Sequence, residues 1–375
     1  MIYDTTNFHT YLEPATGSLL AKNGHNKASK HHLRQVGLAL ATDQATGLPI
    51  HHRVYAGNRQ DAHVFAGVVK ELLQSIVGAY KEVNEVVLLL DKGNNSKTNF
   101  DALFGTIHWV GSLVPSQHRD LLAVPVDHYL ESMGEIKLMR TTQKVMGRNC
   151  ALVMTYDPKL ARKQEHSLTS SIDKLLIQLQ RKLDSYVNPT KEMNSGIRRI
   201  LEDSHYKKFV RVIESIEGLS FEINEEAMAE KRLRMGKNLI FTSRIDAESG
   251  WIVKQYKERG RIENGFKTLN CPELISIRPI RHWTDSKIRA YIFCCIMSFL
   301  LLSWMQYQAV QAKLVKSPLV LKERLSDLKQ ILCIYSDGQA RWLISECSPI
   351  QQKLYRLFQL EEVEKAINLH QTPRQ

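Results

Sequence analysis

The run Glu85-Val86-Val87-Leu88-Leu89-Leu90 constrains this chain most, because it is apolar without alternation and ends abruptly at Asp91. A strand with no polar face must be covered on both sides, so it belongs inside a sheet with helices above and below. The carboxylate that closes it stands at a strand's C-terminal end, where open sheets gather ligand-binding groups. Leu33 to Thr42 and Leu48 to Tyr55 are apolar-rich runs joined by Asp43-Gln44-Ala45-Thr46-Gly47, which predicts a hairpin. After the Gly57-Asn58 turn a helix is expected, capped by Asp61 and running to about Val77. A loop through Ser96, a short helix to Leu103 and a strand near Ile107 to Val114 follow. This order predicts a mixed sheet with flanking helices.

Downstream, Ile136 to Arg140 and Cys150 to Tyr156 predict a second hairpin around Met146-Gly147. From about Leu160 to Glu217 the pattern becomes long, Lys- and Arg-rich helical segments interrupted near Pro189, read as a helical insertion. A strand is expected at Asn238 to Thr242, one helix over Ser249 to Phe266, and helices with turns from Lys287 onward. The expected segmentation is a first core part over 1–157, an insertion over 158–235, a second core part over 236–310 and a C-terminal helical region over 311–375. Tyr291 to Met305 is nearly all apolar. As a helix it spans roughly 22 Å against the ~30 Å of a hydrocarbon core, so a buried core helix is expected and no membrane. Trp109, Trp283 and Trp304 read as packing residues.

Charge narrows the partners. Lys and Arg number 51 against 39 Asp and Glu, a formal net charge of +12, in a chain that is 43% hydrophobic. That describes a folded basic protein, and clustered cations release counterions when they meet phosphates, so nucleic acid is the natural partner. A protein that is merely basic has the same composition. None of the six cysteines forms a Cys-x-x-Cys pair, which argues against a zinc ribbon or a disulfide framework. The start has no secretory signal, so a cytoplasmic location is expected. Lys22, His25, Lys27, Lys30, His31, His32 and Arg34 form a basic, histidine-rich stretch that is either a DNA-backbone contact or a solvated loop. His31-His32 and His51-His52 argue against zinc, since adjacent strand residues point opposite ways.

Three acidic residues occupy telling places: Asp4 in Tyr-Asp-Thr-Thr, Asp91 at the end of the apolar strand, and Glu263 in Arg261-Ile262-Glu263-Asn264. On a continuous helix Tyr256, Arg259, Glu263 and Lys267 share one face, where cations a turn away hold a carboxylate ionised or receive phosphates. Phosphodiester chemistry needs charge stabilisation at both entering and leaving oxygens, which two Mg²⁺ ions bridged by carboxylates supply. Singly, each acid has a duller reading: Asp91 as a cap, Glu263 as a solvated ion-pair residue, Asp4 as terminal surface.

In this order the blocks resemble the DDE transposases of bacterial insertion sequences, in the group marked by a Tyr-Arg-Glu-Lys signature. The likeness runs through Asp4-Thr5-Thr6, Gly24-His25-Asn26-Lys27, Arg34-Gln35-Val36, Gly47-Leu48-Pro49-Ile50, Gly57-Asn58-Arg59-Gln60-Asp61 and Leu90-Asp91-Lys92-Gly93-Asn94-Asn95-Ser96. It continues through the spacing of Tyr256, Arg259 and Glu263, through Ile277-Arg278-Pro279-Ile280-Arg281-His282-Trp283 and through Ile288-Arg289-Ala290-Tyr291. The resemblance implies an α/β, ribonuclease H-like mixed sheet with flanking helices and a largely helical insertion before the catalytic Glu. It implies cut-and-paste DNA transposition by metal-dependent cleavage and strand transfer. Asp4, Asp91 and Glu263 are then the catalytic ligands of two Mg²⁺ ions, with Mn²⁺ as a substitute. Tyr256, Arg259, Lys267, Lys27, Lys30 and Arg34 meet double-stranded DNA, at transposon ends and target, in a homodimeric complex at the bacterial nucleoid. Two departures stand out. Asn270 occupies the place of the signature Lys, and only three residues precede Asp4. The second predicts an N-terminally truncated transposase, or else a remnant that binds DNA or inhibits a full-length partner.

Overall fold

The computed structural model describes residues 1–13, 16–24, 32–185, 191–215, 218–336 and 339–362. The chain divides into two compact units, one of Met1–Trp109 with Lys257–Gln375, the other of Val110–Tyr256.

In the first unit β1 (Ile2–Thr10) runs antiparallel to β2 (Arg34–Thr42), which pairs with β3 (Pro49–Ala56). After α1 (Asp61–Ala79) comes β4 (Val87–Leu90), parallel to β1, then α2 (Lys97–Leu103), giving the strand order β3-β2-β1-β4. All four β4 residues are buried, as an unalternating apolar run requires. β1 is nine residues long, with Thr5 to Thr10 extending it past Asp4. The β2–β3 turn is closed by Asp43, whose Oδ2 accepts from the Ala45 and Thr46 amides and the Thr46 hydroxyl. Its Oδ1 accepts from the Tyr80 hydroxyl at 2.6 Å, tying the turn to the end of α1. Asp61 is the first helical residue rather than the cap; Gln60 takes the cap position and makes no side-chain cap bond.

The second unit opens on β5 (His108–Ser112), which starts in the first, and continues through α3 (Arg119–Ala123), β6 (Glu131–Met133), β7 (Ile136–Val145) and β8 (Arg148–Tyr156). The β7–β8 turn forms at the expected Met146-Gly147, both with positive φ (51° and 84°), the backbone of a tight two-residue hairpin. Then follow α4 (Pro158–Asp184), α5 (Lys191–Asp203), β9 (Val210–Ser215), β10 (Gly218–Ile223), α6 (Glu225–Arg232), β11 (Lys237–Thr242) and α7 (Ser249–Glu258). The strand order is β5-β11-β8-β7-β6, antiparallel throughout. The insertion has its own core: Leu168, Ile172, Leu175 and Leu179, at helical spacing on α4, cluster with Ile197, Phe209, Val210, Met228 and Met235. The stretch expected to be helical as far as Glu217 instead turns into β9, paired with β10. Leu219-Ser220-Phe221-Glu222-Ile223 alternates with period two, a strand signal.

Back in the first unit come α8 (Gly260–Asn270), α9 (Asp285–Gln311), α10 (Pro318–Ser326), β12 (Gln330–Ile334), β13 (Ala340–Ile344) and α11 (Pro349–Leu357). The β12–β13 hairpin interrupts a region that reads as helical. α9 has 27 residues, about 40 Å at 1.5 Å each, so the shortness expected of the apolar helix does not hold. Among the described residues it is the one helix long and apolar enough to cross a membrane. Its Ile288, Ile292, Ile296 and Phe299 are buried, and it packs on β3 and α8. Residue alternation on β3 sends His51 to Ser75 of α1 (3.0 Å) and His52 toward Phe293 of α9, so the two helices cover opposite faces. Trp109 is a core residue, whereas Trp283 and Trp304 are exposed.

Candidate active site

The parallel register of β1 and β4 pairs Ile2 with Leu89 and Tyr3 with Leu90. Asp4 is the next residue of β1 and Asp91 follows directly on the last residue of β4, so the two backbone positions lie side by side just past the paired segment. Strand spacing of about 4.8 Å sets these two backbone positions close together. Asp4 is half-buried, and its Oδ1 accepts the Thr5 amide at 2.7 Å. Around it Thr5 and Tyr3 are buried, so the strand that carries the acid is part of the core.

Asp91 begins a 3₁₀ turn over Lys92–Asn94, yet its side chain caps nothing. The backbone carbonyl takes that part by accepting the Asn94 amide at 2.9 Å. The carboxylate instead forms an ion pair with the Arg259 guanidinium, both side chains about a third exposed (34% and 27%). The loop behind Asp91 is held by two residues that sequence reading left without a role. The buried Asn99 amide donates to the Asn94 and Ala62 carbonyls (2.8 and 3.2 Å), and Ser96 caps α2 through the Asn99 amide. The Asn-Asn-Ser run after Asp91 carries that signal, since Asn and Ser bind backbone locally.

The helix expected over Ser249 to Phe266 is two helices, α7 and α8, divided at Arg259. Gly260, a poor helix residue, follows the break. The break leaves Arg259 at the N-terminal edge of α8, where its guanidinium reaches Asp91. Ile262, Phe266 and Leu269 form the buried stripe of α8, which packs on β1. Glu263, next to Ile262 in the first turn, is exposed, as is Lys267 one turn on. A first-turn carboxylate is favoured by the helix dipole. Asn270, where the signature Lys is expected, turns its amide onto the Phe266 carbonyl at 2.9 Å.

The other predicted contacts are placed differently. Tyr256, in the second unit, donates its hydroxyl to Ser112 Oγ at 2.7 Å, and burial pushes its phenol above the usual tyrosine range despite that bond. Arg34 donates to the Glu13 carbonyl (3.0 Å) and Thr16 Oγ1. Lys27 and Lys30, with His25 and His31, lie outside the described residues.

As donors, carboxylate oxygens suit a hard divalent ion. The structure brings Asp4 and Asp91 together and sets α8 against β1, and a side-chain cation already balances Asp91. Among the described residues no group of three Asp, Glu, His or Cys side chains is gathered as a ready metal shell.

Comparison with known proteins places this geometry in a family. The profile described as "Transposase DDE domain" matches residues 1–272, which contain Asp4, Asp91 and Glu263. A cryo-EM structure of a piggyBac transposase synaptic complex with hairpin DNA aligns with a TM-score of 0.44 at 10% identity, over 87% of this chain. The chain spans about half the length of that protein (51%). No curated protein matches. With nearly three quarters of its length under the family profile, the chain belongs to the transposase DDE domain family.

Proposed function

We propose that this chain is a DNA transposase of the bacterial insertion-sequence kind, in the Tyr-Arg-Glu-Lys group. In this reading it cleaves and joins phosphodiester bonds at double-stranded transposon ends and target, as a homodimer on DNA. The observation that carries the reading is the β1–β4 register, which sets Asp4 beside Asp91 within the span matched to the family. Asp4, Asp91 and Glu263 would hold two Mg²⁺ ions, with Mn²⁺ as substitute. Such ions supply charge stabilisation at the entering and leaving oxygens.

The chain's own residues prepare that chemistry. The buried β1 and β4 fix the two aspartates on rigid backbone, and the Asn94–Asn99 contacts fix the loop behind the second. Arg259, ion-paired with Asp91, is a guanidinium fork beside the acids for a scissile-strand phosphate. Lys267 adds a second cation one turn beyond Glu263. Tyr256, held by Ser112, steadies the end of α7.

The test is strand cleavage and joining by the purified chain on DNA fragments that flank its own gene, with Mg²⁺ or Mn²⁺ and with EDTA. Cleavage that needs the divalent ion and disappears in Asp91→Ala and Glu263→Ala is expected. Cleavage that persists in both variants would refute the assignment.

A further inference from the structure

Away from the carboxylates, the edge strand β3, the start of α1 and the first turn of α9 enclose a cavity of ≈ 320 Å³. Among the described residues its lining includes Arg53, Arg59, His63 and Arg289 and no acidic residue. β3 stands two strands from β1, roughly 10 Å across the sheet, so the cavity is separate from the Asp4–Asp91 pair.

Two of the guanidiniums are oriented by backbone. Arg289 donates to the Val54 carbonyl at 3.1 Å, and Arg53 donates to the Gly67 carbonyl at 2.5 Å. A guanidinium has five N–H donors, so each retains a fork for another acceptor. Among the described residues the carboxylates of Glu71 and Asp285 beside the cavity have hydrogen-bond partners, and Asp285 also interacts electrostatically with Arg289. Glu71 pairs with Arg53 at 3.2 Å, and Asp285 accepts from the Ser18 hydroxyl and the Leu19 and Leu20 amides. Arg59 and His63 are exposed at the mouth. Guanidiniums fixed by carbonyls and converging on a small cavity recognise a planar or tetrahedral oxyanion, above all phosphate.

We infer that this cavity seats a backbone phosphate of duplex DNA, a positioning contact on the β3 edge distinct from the cleavage site. The inference rests on the reading of DNA as partner. The contact fixes orientation and carries no sequence preference.

The experiment follows binding of the full chain to a short labelled duplex by fluorescence anisotropy across a range of KCl, comparing wild type, Arg59→Ala, Arg59→Lys and Arg289→Ala. Lys81→Ala, an exposed cation beyond α1, is the charge control. Each lost phosphate contact lowers the slope of log K against log[salt] by about 0.9. Arg59→Ala and Arg289→Ala are expected to lower it by about that much and to weaken binding several-fold on any sequence, while Arg59→Lys and Lys81→Ala keep the wild-type slope. An unchanged slope in Arg59→Ala, or an equal loss in Lys81→Ala, overturns the cavity while leaving the transposase reading intact. Failure of wild type to bind any duplex overturns both. Titration with inorganic phosphate separates the source: saturable uptake that needs Arg59 but leaves duplex affinity untouched assigns the cavity to free phosphate and overturns the DNA contact.

Discussion

If Asp91 holds a divalent ion as proposed, Arg259 and that ion compete for the same carboxylate, and the competition can be measured. The guanidinium sits on Asp91, with both side chains about a third exposed. Two unit charges 4 Å apart interact by roughly 4 kcal/mol at an effective dielectric of about 20. Partial exposure, side-chain entropy and salt reduce such a pair to about 1 kcal/mol. Arg259→Gln removes that competing interaction and a neighbouring positive charge, so the DNA-free protein should bind Mn²⁺ about fivefold more tightly, at ~1.4 kcal/mol per tenfold. The assay is Mn²⁺ titration followed by the EPR signal of the free ion, at neutral pH and fixed ionic strength. Lys70→Gln on α1 serves as the charge control. DNA cleavage by Arg259→Gln should nonetheless fall, because the fork that would receive a phosphate is gone. Unchanged or weaker Mn²⁺ binding in Arg259→Gln would mean that the ion does not share Asp91, and the argument from the pair would fail.

Two further substitutions test the scaffold. A Cβ on Gly57 would stand 2.0 Å from the Gln35 carbonyl oxygen, backbone that has little room to yield in a buried strand. Gly57→Ala should therefore cost about 3 kcal/mol and lower the thermal midpoint by several degrees; a wild-type melting curve would show that the turn relaxes freely. Burial pulls the Asp43 carboxyl up, but the Tyr80 and Thr46 bonds outweigh it and leave the group below the usual aspartate range. A depressed folded value stabilises the fold above the unfolded pKa of ~3.9, and that stability is lost as pH falls through the folded value. Tyr80→Phe should cost about 1–2 kcal/mol in urea unfolding at neutral pH, with the deficit shrinking as Asp43 becomes protonated. A deficit that stays constant on acidification would show that the carboxylate bond is not its source.

Much of the core was legible because burial imposes a pattern. An unalternating run had to be an interior strand, and β4 is buried throughout. The Asp43–Gly47 and Met146-Gly147 turns were marked by residues that accept tight or positive-φ backbone. The misreadings came where local signals were weak or lay beside stronger ones. β9 and β10 are short and follow two long helices, and β12–β13 lies between helical segments. The division of α7 from α8 at Arg259 turned on one glycine, which a helix also tolerates. Trp304 packs its ring on Phe358 while staying part-exposed, and Trp283, expected to pack, is exposed, because side-chain type does not fix which face a residue presents.

For the site, the sequence alone determined which residue types are present and in what order: three acids with cations spaced along one segment. Proximity between residues far apart in the chain is a different kind of fact, because pairing register depends on how whole strands dock. Only the tertiary structure aligned Tyr3 with Leu90 and so set Asp4 beside Asp91. Only it gave Asp91 to Arg259, turned Asn270 back onto its own helix, and gathered Arg53 of β3, Arg59 of the following turn and Arg289 of α9 around one cavity. Charge and hydrophobicity are properties of residues, whereas a site is a set of distances, and distances are decided when the core closes.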